Sequence, residues 1–367
     1  MKKEKCKSTC DADCRLGKVG GQAVLGGVMM KADEHTVTTC RKEDGSLAVN
    51  DDSFVSVREK HKILNLPILR GVINFVEMMI LSVKTMNASA EALGLEEEEG
   101  KFERWLKKHF GIGITTVIMV IGVVLGIALS LFLFMFLPIF SADLINKLVV
   151  NLGGSGLGAW QKVIEGALKV AIFLLYMWLV SFMPDIKRTF MYHGAEHKTI
   201  ACYEAGDELT PEMAKKHSRF HPRCGTSFMF FMILLGIVAG LIIYAIVPTL
   251  KTWAYTLIRL GILPLLMGIG YEFIRFAGKH DNVIVRIISA PGLWVQRLTT
   301  KEPTEDMLEV AIVSTKCALR DKHPEFMEFF NSKGWEKKSD EAPVSDSAED
   351  AEKTVSEDET EKKDSED

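Results

Sequence analysis

The sequence predicts an α-helical integral membrane protein of about four transmembrane helices, with an interfacial helix and a small mixed α/β cytosolic body. Three observations predict it. Long apolar runs alternate with charged blocks in a chain that is 48% hydrophobic and 25% charged. One segment near the N-terminus alternates with a period of two and carries turn signals. Lys and Arg gather in every second connection between the apolar runs.

Residues 1–18 read as a flexible, Cys-containing extension. Cys6, Cys10 and Cys14 are spaced C-x3-C-x3-C. A metal loop is one reading; paired zinc ligands usually lie two to four residues apart with a second pair elsewhere. Incidental thiols are the simpler reading. Seven cysteines at irregular spacing form no secretory framework, which favours reduced thiols in the cytosol. The opening MKKEKCKSTC lacks the apolar core of a signal peptide.

Residues 19–60 read as a small β-rich cytosolic segment. HTVTTC and SLAVND alternate around KEDG, whose Asp44-Gly45 pair signals a hairpin. The glycines of VGGQAVLGGVMMK fit neither G-x-G-x-x-G nor a P-loop.

Residues 61–111 read as an interfacial helix and a charged linker. The helical pattern over 64–93 is interrupted by Arg70, Glu77 and Lys84. Such a charge at a bilayer centre costs roughly 2.5–3.5 kcal/mol on insertion scales. The helix is therefore expected at an interface or buried in protein. Lys101, Arg104, Lys107 and Lys108 then precede the first span.

The transmembrane region covers 112–276, with spans expected at 112–137, 161–183, 226–248 and 253–276. Each is long enough for a hydrocarbon layer of about 30 Å. The loop 138–160 carries only Lys147, and the link 249–252 only Lys251. The loop 184–225 carries Lys187, Arg188, Lys198, Lys215, Lys216, Arg219 and Arg223, and Arg275, Lys279 and Arg286 follow the last span. By the positive-inside rule, both termini and the 184–225 loop face the cytoplasm of a multi-pass protein in the cytoplasmic membrane. Arg259 within a span is either a functional residue or the partner of Glu165 or a helix carbonyl.

Residues 277–335 read as a cytosolic amphipathic segment. Trp294 is expected near headgroup level, and a helix after Pro303 packs on the cytosolic body through Met307, Val310, Ala311 and Ser314. From Glu336 the chain has 14 acidic and 5 basic residues, so 336–367 is expected to be a disordered acidic tail. The remainder, net positive, suits an anionic leaflet.

The chemistry lies in the 184–225 loop. Pro184 can start a helix and Gly206 can end it. On that helix His193 and His197 are four apart, and Glu196 completes H-x-x-E-H, the inverted zincin order. There the carboxylate takes a proton from metal-bound water. A third ligand could be His221 or Cys224 of HPRCG, or Glu272 near the end of the last span; Glu204 and His217 are weaker choices. Two histidines with Glu272 make a catalytic-style site. His193, His197, His221 and Cys224 make a closed, structural one. Ordinary polar roles are the alternative: Glu272 pairing with Arg275, and Glu196 holding Lys198 or Arg188. Imidazole ligands leave the divalent metal open, zinc being the first choice.

VGGQAVLGGVMMK, RGVINFVE, YHGAEHKTIACYE, HPRCGTSF and PGLWVQRLTTKEP…LEVAI together resemble the YqhQ-like family. These are bacterial membrane proteins classed under a domain of unknown function and described as predicted metal-dependent enzymes. The resemblance runs from about Val19 to about Leu319. The family's first motif has a glutamate where this chain has Gly26, which shifts weight onto Glu196, Glu204 or Glu272.

The expected function is a metal-dependent enzyme of hydrolase type at the cytoplasmic face, with Glu196 as general base. The alternative is a non-catalytic membrane adaptor of a protein-biogenesis or envelope complex, with any zinc structural. The lipid bilayer and a membrane protein complex are the expected partners. A transporter has little support without an inverted repeat, and nucleic-acid binding none without a recognisable module.

Overall fold

The KEDG turn and its flanking alternation fold as expected. In the computed structural model, which describes residues 15–94, 114–277 and 283–333, four strands form one antiparallel meander in the order β1-β2-β3-β4. They are β1 Gly20–Val24, β2 Gly27–Ala32, β3 His35–Arg41 and β4 Leu47–Ser53. The hairpins close at Val24↔Gly27, Ala32↔His35 and Arg41↔Leu47. The Cys6, Cys10 and Cys14 extension, the charged linker after Gly94 and the acidic tail lie outside the described residues.

Both faces of the sheet are covered, so its central strands are almost wholly buried. Alternate residues face opposite sides of a strand. Val28, Met30 and Val37 enter one core, while Val24, Met29 and Cys40 enter another with Leu81.

The helices are α1 Val57–Lys60, α2 Leu69–Ala92, α3 Ile114–Leu131, α4 Leu137–Asn151, α5 Trp160–Val180, α6 Pro184–Ala205, α7 Pro211–Lys216, α8 Gly225–Ile246, α9 Thr252–Gly261, α10 Leu263–Ala277, α11 Val283–Thr299, α12 Glu305–Ala318 and α13 Pro324–Ser332. The first core is completed by α6 and α12. On α12, Val310, Ala311 and Ser314 are fully buried, and Ser314 donates to the Val37 carbonyl at 2.7 Å.

Each charge that interrupts α2 meets a partner from elsewhere in the chain. Arg70 forms a two-pronged pair with Glu272 of α10. Glu77 is buried and accepts from Ser56 Oγ at 2.8 Å and from the Val57 N–H at 2.8 Å. Lys84 reaches Asp52 at 3.2 Å. The opposite face, Val76, Met79, Ile80, Val83 and Met86, is exposed. This helix turns Arg70 and Glu77 toward protein partners and an apolar stripe outward.

Among the described residues, three helical stretches are long and apolar enough to cross a membrane: Ile121–Asn151, Trp160–Val180 and Gly225–Ile246. A fourth is the pair α9 and α10, bent by 45°. Two expected boundaries are corrected. The first run does not end near Leu137 but continues to Asn151. A π-helical turn, Phe132–Phe136, precedes Pro138, which enters α4 in its first turn where a missing N–H is tolerated. Beyond it, Asp143 and Lys147 neutralise each other at 2.9 Å across one turn. The last run is not one helix. It breaks at Ile262, just before Pro264, whose ring cannot continue the α9 hydrogen bonds.

Candidate metal centre

α6 begins at Pro184 and ends at Gly206, which takes the left-handed conformation with φ 82°. Its middle, Gly194 to Ile200, is buried beneath the sheet and α12. This puts Glu196 and His197 inside the protein, with His193 part-buried beside them.

His193 and His197 lie one turn apart, their rings edge to face at 4.4 Å between centroids. Both are oriented by backbone carbonyls. His193 Nδ1–H donates to the Thr299 carbonyl at 2.9 Å, and His197 Nδ1–H to the Arg219 carbonyl at 2.6 Å. Each neutral ring thereby keeps a lone pair on Nε2, the arrangement that a carbonyl on Nδ1 imposes on metal-ligating histidines. Cys224 caps the N-terminus of α8. Its Sγ accepts from the Thr226 N–H and lies 3.2 Å from His193 Nε2. The helix end places positive partial charge against this sulfur. Ligand atoms of His193, His197 and Cys224 all lie within 4.8 Å of one another, so the three could hold a metal ion.

Gly194 makes the first carbonyl contact possible. A Cβ there would sit 2.0 Å from the Lys301 carbonyl oxygen. The close approach lets the Lys301 N–H bond the Phe190 carbonyl at 2.8 Å and carries Thr299 to His193.

Glu196 is buried and turns toward the sheet, its Cγ lying where it limits any side chain at Gly21. Its Oε2 has no hydrogen-bond partner. Burial pushes its carboxyl up to about 7, against the pull of nearby His193. Burial likewise holds His197 below the ordinary histidine value, opposed by Cys224 and the Arg219 carbonyl. Glu196 does not hold Lys198, which pairs with Glu302 at 2.6 Å.

The other expected ligands sit elsewhere. His221 is buried beside the cluster, its ring 5.7 Å from that of His197, but its Nε2 faces Glu204 at 3.4 Å. Glu204 also accepts from Arg223 and from the Gly17 N–H at 2.8 Å. Gln296 brackets His221, accepting from its N–H at 2.8 Å and donating to its carbonyl at 2.7 Å. His217 pairs with Asp207 at 2.9 Å. Glu272 is not in the cluster: both its oxygens are taken by Arg70, and not by Arg275, the partner named in the alternative reading. Gly26 sits in the β1–β2 turn at φ 61°, a conformation other residues rarely adopt, with Leu93 against it. Sequence reasoning missed the Thr299 and Arg219 carbonyls, because a backbone acceptor leaves no mark on residue identity.

The profile of a protein family of unknown function, DUF1385, matches residues 66–321, which include every residue of this cluster. The chain belongs to this family. It is 38% identical over 307 residues to the uncharacterized protein YqhQ of Bacillus subtilis (strain 168), covering 82% of this chain and 92% of the relative. No solved structure matches the chain.

Proposed function

We propose that this protein is a multi-pass membrane protein carrying a metal centre at the cytoplasmic face, and that the centre is catalytic, of hydrolase type. The membrane reading rests on the three to four long apolar helices and on the Lys and Arg asymmetry of their connections. The metal reading rests on one observation: two carbonyl-oriented imidazoles and a helix-capping thiol converge within 4.8 Å. A His2Cys set suits zinc.

Two features favour catalysis over a closed structural site. Catalytic zinc keeps three protein ligands and an open position. The nearest fourth candidate, His221, is engaged by Glu204. In addition, Glu196 brings an unpartnered carboxylate oxygen to the same turn of α6. In this reading His193, His197 and Cys224 would hold the metal, which would supply Lewis-acid activation of water. Glu196, one turn from His193 on the same helix, would be the proton acceptor.

Metal content by mass spectrometry, on protein purified without chelators or a His-rich tag, tests this first. About one metal per chain is expected in the wild type, from a site of this ligand count. His193→Ala/His197→Ala should hold none. A metal-free wild type would remove the proposal. Cobalt(II) loading should give a near-ultraviolet thiolate charge-transfer band that Cys224→Ser loses. Glu196→Gln should keep the metal and lose function in cells that depend on the protein; normal growth would sink the base assignment.

A further inference from the structure

A second polar cluster lies in the helical bundle, away from the metal centre. Glu165 of α5 is buried, at least roughly 22 Å along that helix from its Val180 end. Arg259 of α9 pairs with it and also donates to the Gly236 carbonyl of α8 at 3.4 Å. Lys162 reaches Glu165 Oε2 at 3.1 Å, and its Nζ stands 4.0 Å from the centre of the Tyr255 ring. Arg259 flanks the same ring at 5.3 Å. Lys169 follows Glu165 by one helical turn, half-buried and within electrostatic reach of both Glu165 and Arg259.

The charges do not balance. Three cations share one carboxylate, and among the described residues Lys169 has no carboxylate of its own. Desolvated cations without partners are costly, and they recruit anions. Two exposed tryptophans give the depth. Trp160 is 68% exposed and Trp253 65%, at the starts of α5 and α9. Tryptophan favours the membrane–water boundary. Lys162 lies within one turn of Trp160, and Arg259 within two turns of Trp253. Lys169 lies deeper, and its long stem can carry the ammonium toward the boundary. Lys162 therefore lies nearest headgroup level, while Arg259, on the mid-helix Gly236 carbonyl, and Lys169 lie below it within reach of long side chains.

We propose that Lys162, Lys169 and Arg259, arranged around Glu165 and Tyr255, form a binding site for a phosphate-type anion at the end of the bundle remote from the metal centre. The lipid phosphodiester of an anionic phospholipid and free inorganic phosphate share this chemistry. Only the lipid source rests on the membrane reading.

Native mass spectrometry on the full chain in neutral detergent tests this with three probes: phosphatidylglycerol, phosphatidylcholine and inorganic phosphate. Wild type should retain phosphatidylglycerol over phosphatidylcholine. Lys169→Met should weaken that retention about fivefold, the effect of one basic charge near an anionic headgroup. Glu165→Gln removes the competing carboxylate and should strengthen it by a similar factor. This opposite shift decides the matter even where Lys169→Met folds poorly. Competition by inorganic phosphate alone would make free anion the source and keep the site. Equal retention of both lipids with no phosphate binding, unchanged in Glu165→Gln, would overturn the proposal. Metal content is unaffected in every outcome, so failure here leaves the metal centre standing.

Discussion

Two carboxylates stand out in the sequence beside the histidine motif, and the fold treats them in opposite ways. Glu272 lies in the seam between α2 and α10, where Arg70 occupies both its oxygens. Glu196 lies between α6 and the sheet, with one oxygen unpartnered. The seam spends its polar groups on each other and is structure. The centre gathers ligand atoms that meet chiefly one another and leaves a Glu196 oxygen without a partner in a buried place, where an unsatisfied group is costly. That cost is what a function would justify.

The largest expected effect comes from the glycine that closes the centre. Gly194→Ala drives a methyl group into the Lys301 carbonyl. The α6 contact with residues 299–303 must open, at a cost of about 1–3 kcal/mol as overpacking generally does. The His193–Thr299 hydrogen bond goes with it. Thermal unfolding in detergent should show the loss, and metal affinity should fall by roughly tenfold or more, as it does when an outer-shell partner is lost. Unchanged affinity would mean that the carbonyl anchor is incidental.

Arg70→Ala is the matching cut on the other side. It strands Glu272 and removes a charge-assisted pair, a loss of about 1.5–3 kcal/mol. The seam is part-exposed, which argues for the lower figure. Metal content should not change. Metal loss in Arg70→Ala would tie Glu272 to the centre after all.

The contrast also explains which parts were legible. The KEDG turn, the two-residue period and the apolar runs are local signals, and they yield the sheet and the long helices. The three charges on α2 correctly argued for protein contact, but their partners lie far off: Arg70 and Glu272 are 202 positions apart. Spacing on one helix brought His193 and His197 together, and H-x2-C drew attention to Cys224. It could not separate Cys224 from His221, three residues before it, since the choice depends on which faces α6 and which faces Glu204. The π-helical turn before Pro138 was hidden for a similar reason, because hydropathy reads a proline after an apolar run as an end.

The smallest effect tests that unread choice. Burial alone would raise the Glu204 carboxyl, but hydrogen bonds from His221 and the Gly17 N–H, with the charge of Arg223, hold it below the ordinary value. A carboxylate depressed in the folded state contributes stability that is present above its unfolded pKa. That stability is lost as pH falls through the folded value. Unfolding in detergent should therefore show Glu204→Gln less stable than wild type near neutrality by about 1.5 kcal/mol, the low end for hydrogen bonds to a charged group, since the amide keeps an acceptor oxygen. The gap should close in acid, below the usual carboxylate range. His221→Ala should shrink the same gap while leaving the metal bound, because His221 serves Glu204 and not the ion. If His221→Ala emptied the centre instead, His221 would be the fourth ligand, the shell would be closed, and the site would belong with the seam as structure.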